Sequence, residues 1–175
     1  MAYNVINELT FEGKKEDIRE LMNSVKMTDR HNPDDYFYRG VGTIDFRKII
    51  PQPASIYQGN LGCEEERKYG NRTWEAWNEK YWGTRGNAWN CYKPQRGKIV
   101  FNTSNGSALK IVAALSWMFN KVKITYRWAG EEIGEDCGEV IFSSGRLIDG
   151  LNFDFIPQKE AKAFAEKLWY SHNAA

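Results

Sequence analysis

Val122-Lys123-Ile124-Thr125-Tyr126-Arg127-Trp128 is the segment from which the architecture can be worked out. Val122, Ile124, Tyr126 and Trp128 fall on one side of an extended chain and Lys123, Thr125 and Arg127 on the other. That is the period-two pattern of a strand with one buried face. Just before it, Ala108 to Phe119 is apolar almost all round, which predicts a helix packed on most sides. Ser104-Asn105-Gly106-Ser107 supplies the turn into that helix, and Lys98 to Thr103, with Ile99 and Phe101 on one face, is the strand before it.

The N-terminal half repeats this strand–helix–strand order. Val5, Leu9 and Phe11 share a face with Asn7, and Gly13 ends the strand. Asn7 on an apolar face either bonds neighbouring backbone or faces a pocket; local satisfaction is the commoner fate of a buried amide. Ile18, Leu21, Met22 and Val25 make one helical stripe within Lys14–Val25. Thr43 to Ile50 is the apolar segment expected as the next strand, stopped by Pro51 and Pro53. Between the helix and this segment, residues 27–42 read as a polar loop, where His31, Asp34 and Asp35 are better taken as solvated than as metal ligands.

An ordered excursion follows over about residues 54–97, with Glu64, Glu65 and Glu66 as a solvated face and Thr73 capping a short helix. After the strand at 122–128 comes an acidic glycine-punctuated loop. A hairpin about Ser144-Gly145 is next, with Asn152–Phe155 extending its second arm. Pro157 opens a closing helix with a stripe of Ala161, Phe164, Ala165 and Leu168. Two strand–helix–strand units closing on one antiparallel or mixed sheet, helices on one face, is an α+β, ferredoxin-like (split βαβ) arrangement. We expect one domain over residues 1–175, with the excursion inserted in it.

Composition narrows the function. Twenty-four basic residues against twenty-three acidic give a net charge of +1, which disfavours duplex nucleic acid as the main partner while leaving room for a local basic cluster. Cys63, Cys91 and Cys137 are widely spaced and the two histidines are far apart, so no metal site is expected and reduced thiols are. There is no charged-then-apolar leader and no apolar run near the roughly 18 residues of a membrane span. The expectation is a cytoplasmic protein with no membrane partner.

Several short stretches are similar to those of the YubB-type ferredoxin-like domain family. They are Asn7-Glu8-Leu9-Thr10-Phe11-Glu12-Gly13, Phe46-Arg47-Lys48-Ile49-Ile50-Pro51-Gln52-Pro53, Trp82-Gly83-Thr84-Arg85-Gly86-Asn87-Ala88, Phe101-Asn102-Thr103, and the loop from Ala129 through Ile133-Gly134 to Cys137-Gly138. The resemblance implies a ferredoxin-like fold in an accessory protein of a phage, plasmid or other mobile element in a bacterial host, and it supplies no reaction. Two departures stand out: Gly86 where a second aromatic is expected, and no Trp or Pro after Thr103.

Residues 74–92 carry four of the seven tryptophans, two tyrosines, Gly83, Gly86 and Arg85. Rings that stack, a guanidinium fork for carboxylate or phosphate, and amides that read donor and acceptor edges suit a planar anionic or nucleotide-like ligand. The candidate binding residues are Trp74, Trp77, Trp82, Thr84, Arg85, Asn87, Trp89 and Asn7. The competing reading has the tryptophans plugging the open side of a small sheet, with Arg85 paired to an acidic neighbour; the loop holding Glu131, Glu132, Glu135 and Asp136 is one candidate. Catalysis is disfavoured, since nothing places His31 or His172 beside Cys91 and no phosphate loop, dinucleotide fingerprint or His-Glu-x-x-His occurs. No cofactor is expected. The expectation is a non-catalytic binding protein for a small planar ligand. The alternatives are a module that binds a host protein or itself, and a single-stranded nucleic-acid binder using the same rings.

Overall fold

A computed structural model of the chain describes residues 3–28, 42–152 and 158–173. His31, Asp34 and Asp35, the extension at 153–155 and Pro157 lie outside the described residues. Six strands form one antiparallel sheet: β1 (Asn4–Glu12), β2 (Trp89–Tyr92), β3 (Lys98–Ser104), β4 (Lys123–Gly130), β5 (Cys137–Ser143) and β6 (Arg146–Asn152). Their order across the sheet is β2-β3-β1-β4-β5-β6. The first four have the split βαβ arrangement: β3 lies between β1 and β2, and β1 between β3 and β4. The β5–β6 hairpin extends the sheet beyond β4. Its turn needs left-handed backbone at both central positions, and Ser144 (φ 52°) and Gly145 (φ 73°) provide it.

Helices α1 (Lys15–Val25) and α4 (Leu109–Met118) pack on one face, as the sequence predicts. Val5, Leu9, Phe11, Ile99, Phe101, Ile124 and Tyr126 meet Leu21, Met22 and Val25 of α1 and Ile111, Val112 and Leu115 of α4. The closing helix α5 (Gln158–Asn173) takes the opposite face. There Ala161, Ala165 and Leu168 cover Ile6, Val100, Ala129 and Cys137. Both faces of the central strands are therefore buried, and the polar side of β1 and β4 is only half polar.

Thr43 to Ile50 does not form the second strand of the first unit. Its backbone turns instead through a single 3-10 turn, Phe46–Lys48, capped by the Asp45 side chain, which accepts from the Arg47 amide. The Thr43 hydroxyl accepts from Met27 N at 2.8 Å and Asp45 N donates to Val25 O at 2.8 Å, so this segment is tied to the end of α1 rather than to a sheet edge. The edge place belongs to β2, inside the tryptophan-rich stretch. Within the excursion, α2 (Cys63–Tyr69) opens on the three glutamates, which suit a helix N-terminus. Thr73 caps α3 (Trp74–Tyr81), its hydroxyl accepting from Ala76 N at 3.3 Å.

A buried polar knot holds β1, β3, β4 and α4 together. The Asn7 amide nitrogen donates to Thr103 Oγ1 (2.9 Å) and Val5 O (3.0 Å), and its oxygen accepts from the Tyr126 hydroxyl (2.6 Å). The Tyr126 oxygen in turn accepts from Ala108 N at 2.8 Å, just before α4, whose first turn has no side-chain cap. A side chain from the sheet thus satisfies an amide that the helix itself leaves orphaned. Asn7→Leu leaves the Tyr126 hydroxyl and its partners incompletely bonded and should destabilise the fold by about 3 kcal/mol. Tyr126→Phe should cost about 1 kcal/mol. Urea denaturation of both and of the double variant measures this; simple additivity would mean that the two side chains do not act as one network.

Candidate functional site

Among the described residues, charged side chains converge in the interior on the face covered by α5. Glu8, next to Asn7 but pointing the other way, is only 4% exposed although it is a carboxylate in the middle of the sheet. His172, in the last turn of α5, approaches Glu8 Oε2 with Nε2 at 2.7 Å. Lys98 of β3 reaches the same oxygen at 3.1 Å, and Arg127 of β4 stands 3.8 Å from Oε1. Arg127 also forms a close ion pair with Glu139 of β5. Register explains the convergence: Glu8 lies opposite Arg127, and Arg127 opposite Glu139.

Tyr92 completes the chain, with its hydroxyl 2.8 Å from His172 Nδ1. An ionised Glu8 can only accept, so His172 Nε2 donates to it. A bulge brings Tyr92 here: Trp89 pairs with Asn102 and Tyr92 with Val100, and Asn90 between them has φ 50°. Cys91 points instead into the core beneath α1 and α4. The sheet therefore separates its thiol from the His172 ring.

Burial alone would push the Glu8 carboxyl up. The hydrogen bonds from His172 and Lys98, with their charges, outweigh it and hold the group below its ordinary value. Burial, and then the Glu8 charge, push the Tyr92 phenol up, so it stays a hydroxyl at neutral pH. The cluster opens into a cavity of about 380 Å³ whose other walls are Phe164, Lys167, Leu168 and Ser171 of α5. One side is apolar and one side carries cations and carboxylates at fixed positions. Such a cavity can orient a small organic molecule.

Most residues singled out in the tryptophan-rich stretch are engaged elsewhere. Trp82 is 2% exposed; its ring packs edge-on against Phe46 and Trp77, both at 5.7 Å, and its Nε1 donates to Ile50 O at 2.8 Å. Thr84 is buried and donates to Gly86 O at 2.7 Å. The Asn87 amide bridges the 3-10 turn, accepting from Phe46 N (2.9 Å) and donating to Asp45 (2.8 Å). Trp74 Nε1 donates to Gly59 O at 3.1 Å, and Asn7 lies in the knot described above. The rings of Trp74, Trp77 and Trp82 pack the excursion onto the first core, a plug in which Trp77 is nearly enclosed. Arg85 pairs with Glu75 at 2.5 Å rather than with the acidic loop, whose Asp136 accepts from Trp128 Nε1 at 3.1 Å. Only Arg85 and Trp89 of the group keep a substantial outward surface, and none of the eight lines the cavity beneath α5.

Glu8, Tyr92, Lys98, Arg127, Glu139 and His172 were not legible as a site. One signal was available: Ile6, Val100 and Ala129 are apolar residues on the nominally polar faces of their strands. They needed an apolar cover, and the stripe of the closing helix was the piece without a partner.

Glu8 gives the site a pH signature. Its carboxyl is lowered in the fold, so the stabilisation is complete above the ordinary value of 4.5 and is lost as pH falls from there through the folded value. Glu8→Gln should lower stability at neutral pH by about 3 kcal/mol, and the gap to the unaltered protein should narrow steadily below pH 4.5. Urea unfolding across an acid pH series measures it; a gap independent of pH would remove the ion cluster from the account.

Residues 76–171 match the model of a family described as the ferredoxin-like domain in Api92-like protein. None of the curated proteins matches the chain, and neither does any solved structure. The matched span begins in α3 and takes in β2 to β6, α4 and nearly all of α5. No described helix is long and apolar enough to cross a membrane. With more than half of its length matched and a split βαβ sheet at its centre, the chain belongs to the family of the ferredoxin-like domain in Api92-like protein.

Proposed function

We propose that this is a non-catalytic binding protein that holds a small planar organic anion, nucleotide-like in its chemistry, in the cavity beneath α5. The observation that carries this is the joining of opposite characters in one enclosure. Phe164 and Leu168 offer an apolar wall for a ring, while Lys98, Arg127 and Lys167 stand against the carboxylates of Glu8 and Glu139. Three cations around two carboxylates leave room for one more negative group, and the planar fork of Arg127 suits carboxylate or phosphate. Preformed ion pairs hold Lys98 and Arg127 in place before the ligand arrives, which lowers the ordering cost of binding. The outer side of 74–92, with Arg85 and Trp89, is the other place where such a ligand could stack. The likeness to YubB-type domains suits an accessory protein carried by a phage or plasmid and acting in the host cytoplasm.

A second reading, a protein-interaction module, is favoured by one surface. Trp117 of α4 is 77% exposed, and Met118, Leu147 and Ile148 are exposed as well. Gly145 of the β5–β6 turn packs on Trp117, which places this patch beside β6, an edge of the sheet. An edge strand with apolar neighbours is a natural place for another chain to add.

Thermal denaturation of the intact chain against a panel of nucleotides and aromatic carboxylates tests the first reading. A true ligand at a hundredfold excess over its Kd should raise Tm by about 5–10 °C. Arg127→Ala should weaken binding about tenfold. No stabilisation by any member would end this reading, and loss of binding in Arg85→Ala but not Arg127→Ala would move the site to the outer side of 74–92. For the second reading, a partner or self-association that sedimentation detects should be released by Trp117→Ser.

A further inference from the structure

A second concavity lies on the other side of the sheet edge, between α1 and the turn joining β2 to β3. It encloses about 320 Å³. Lys15 and Arg19 of α1 face Lys93 and Arg96 of the turn across it, and Ile18 and Met22 form an apolar floor. No carboxylate among the described residues lines it. None of the four cations has an ion pair with a carboxylate among the described residues. Other cations do: Lys123 pairs with Glu12, Arg47 with Asp45, Arg85 with Glu75 and Lys98 with Glu8.

The segregation is built into α1. Asp17 and Glu20 of the same helix line a different hollow, together with Lys121 in the turn before β4. One flank of α1 is therefore acidic and the other basic, in a chain whose overall charge is +1. The basic flank is held in place from both sides. Leu21, Met22 and Val25 are buried and anchor the helix. The turn is pinned where Phe11 N donates to Gly97 O at 2.7 Å, with Gly97 in left-handed backbone at φ 74°. Four like charges held around a hollow repel one another and lower stability unless an anion enters.

We propose that this pocket binds a phosphate-bearing ligand. Four cations with no carboxylate partner among the described residues suit a group carrying more than one negative charge, as a polyphosphate or successive phosphodiesters do and a lone carboxylate does not. Such phosphate comes from a free nucleotide or from a single nucleic-acid strand, and the apolar floor would take the sugar or base of either. This site is separate from the cavity beneath α5 and stands or falls independently of it.

Calorimetric titration of the intact chain at low salt, with pyrophosphate, ATP and a short oligothymidylate as probes, tests the proposal. At least one probe should bind, and Arg19→Ala/Arg96→Ala should weaken it by about a hundredfold or more, the loss of two charge-assisted hydrogen bonds. The same double variant should have an unchanged or higher Tm, because relieving repulsion cannot destabilise the fold as loss of a structural contact would. Lys159→Ala, a cation in the first turn of α5, should change nothing. Pyrophosphate or ATP binding identifies the free-nucleotide source. Oligothymidylate binding alone, with log K falling against log salt with a slope of about −3 for four contacts, identifies the strand. Absence of binding by all three probes, or equal binding by the double variant, overturns the proposal.

Discussion

A carboxylate that must ionise inside the sheet governs the face beneath α5. Glu8 stands on β1, a central strand, where water cannot solvate it, and an uncompensated charge there would cost several kcal/mol. Its compensation comes from Lys98 on β3, Arg127 on β4 and His172 at the end of α5. The requirement therefore reaches across three strands and into the last helix. It bears on how α5 lies: the apolar stripe of the helix fixes which side turns inward, and the His172–Glu8 contact ties its last turn to β1. The cavity beneath α5 is the space left between a helix held at these points and the hairpin strand β5 beyond it.

Asn7 does for the opposite face what Glu8 does for this one. The two are consecutive residues on one strand, and alternation sends them to opposite sides. One is neutral and bonded to neutral partners; the other is charged and bonded to ions. The neutral knot gives α4 its N-terminal anchor and locks β1 against β3 and β4, because a one-residue slip would turn Asn7 to the other face, away from Thr103 and Tyr126. Polar groups at the centre of both layers thus select one register, which uniform apolar packing would specify less sharply.

The tryptophans of the excursion belong chiefly to a third task, closing residues 46–88 onto the first core. Trp82 and Trp77 meet edge to face and join Phe46, while indole N–H groups of Trp74 and Trp82 bond backbone carbonyls. A large ring with one polar tip suits this position, since it buries much surface and still satisfies a loop carbonyl. What the molecule presents outward is of different kinds in different places. There is a basic hollow beside α1, an apolar patch at the β6 edge, and the mixed cavity under α5. Near-neutral total charge conceals this partition.

The local elements were legible from residue order alone. Alternation gave β1, β3, β4 and the hairpin, the stripe of Ile18, Leu21, Met22 and Val25 gave α1, and Thr73 marked the start of α3. From two strand–helix–strand units the ferredoxin-like class followed. Thr43 to Ile50 misled because its apolar residues have a strand's composition, while side-chain caps and the ties to α1 turn its backbone away from the sheet. The edge strand was concealed within an aromatic stretch whose residues also do other work. Which side α5 covers was open, since a stripe states that a partner exists without naming it. His172 and Glu8 are 164 residues apart, and no local period relates them. Periodicity and capping are short-range properties written directly in residue order, so the sequence by itself determined most of the elements and the fold class. The meeting of Glu8, Lys98, Arg127 and His172 depends on strand order, register and the placement of one helix, so only the tertiary structure decided where these charges gather around a cavity.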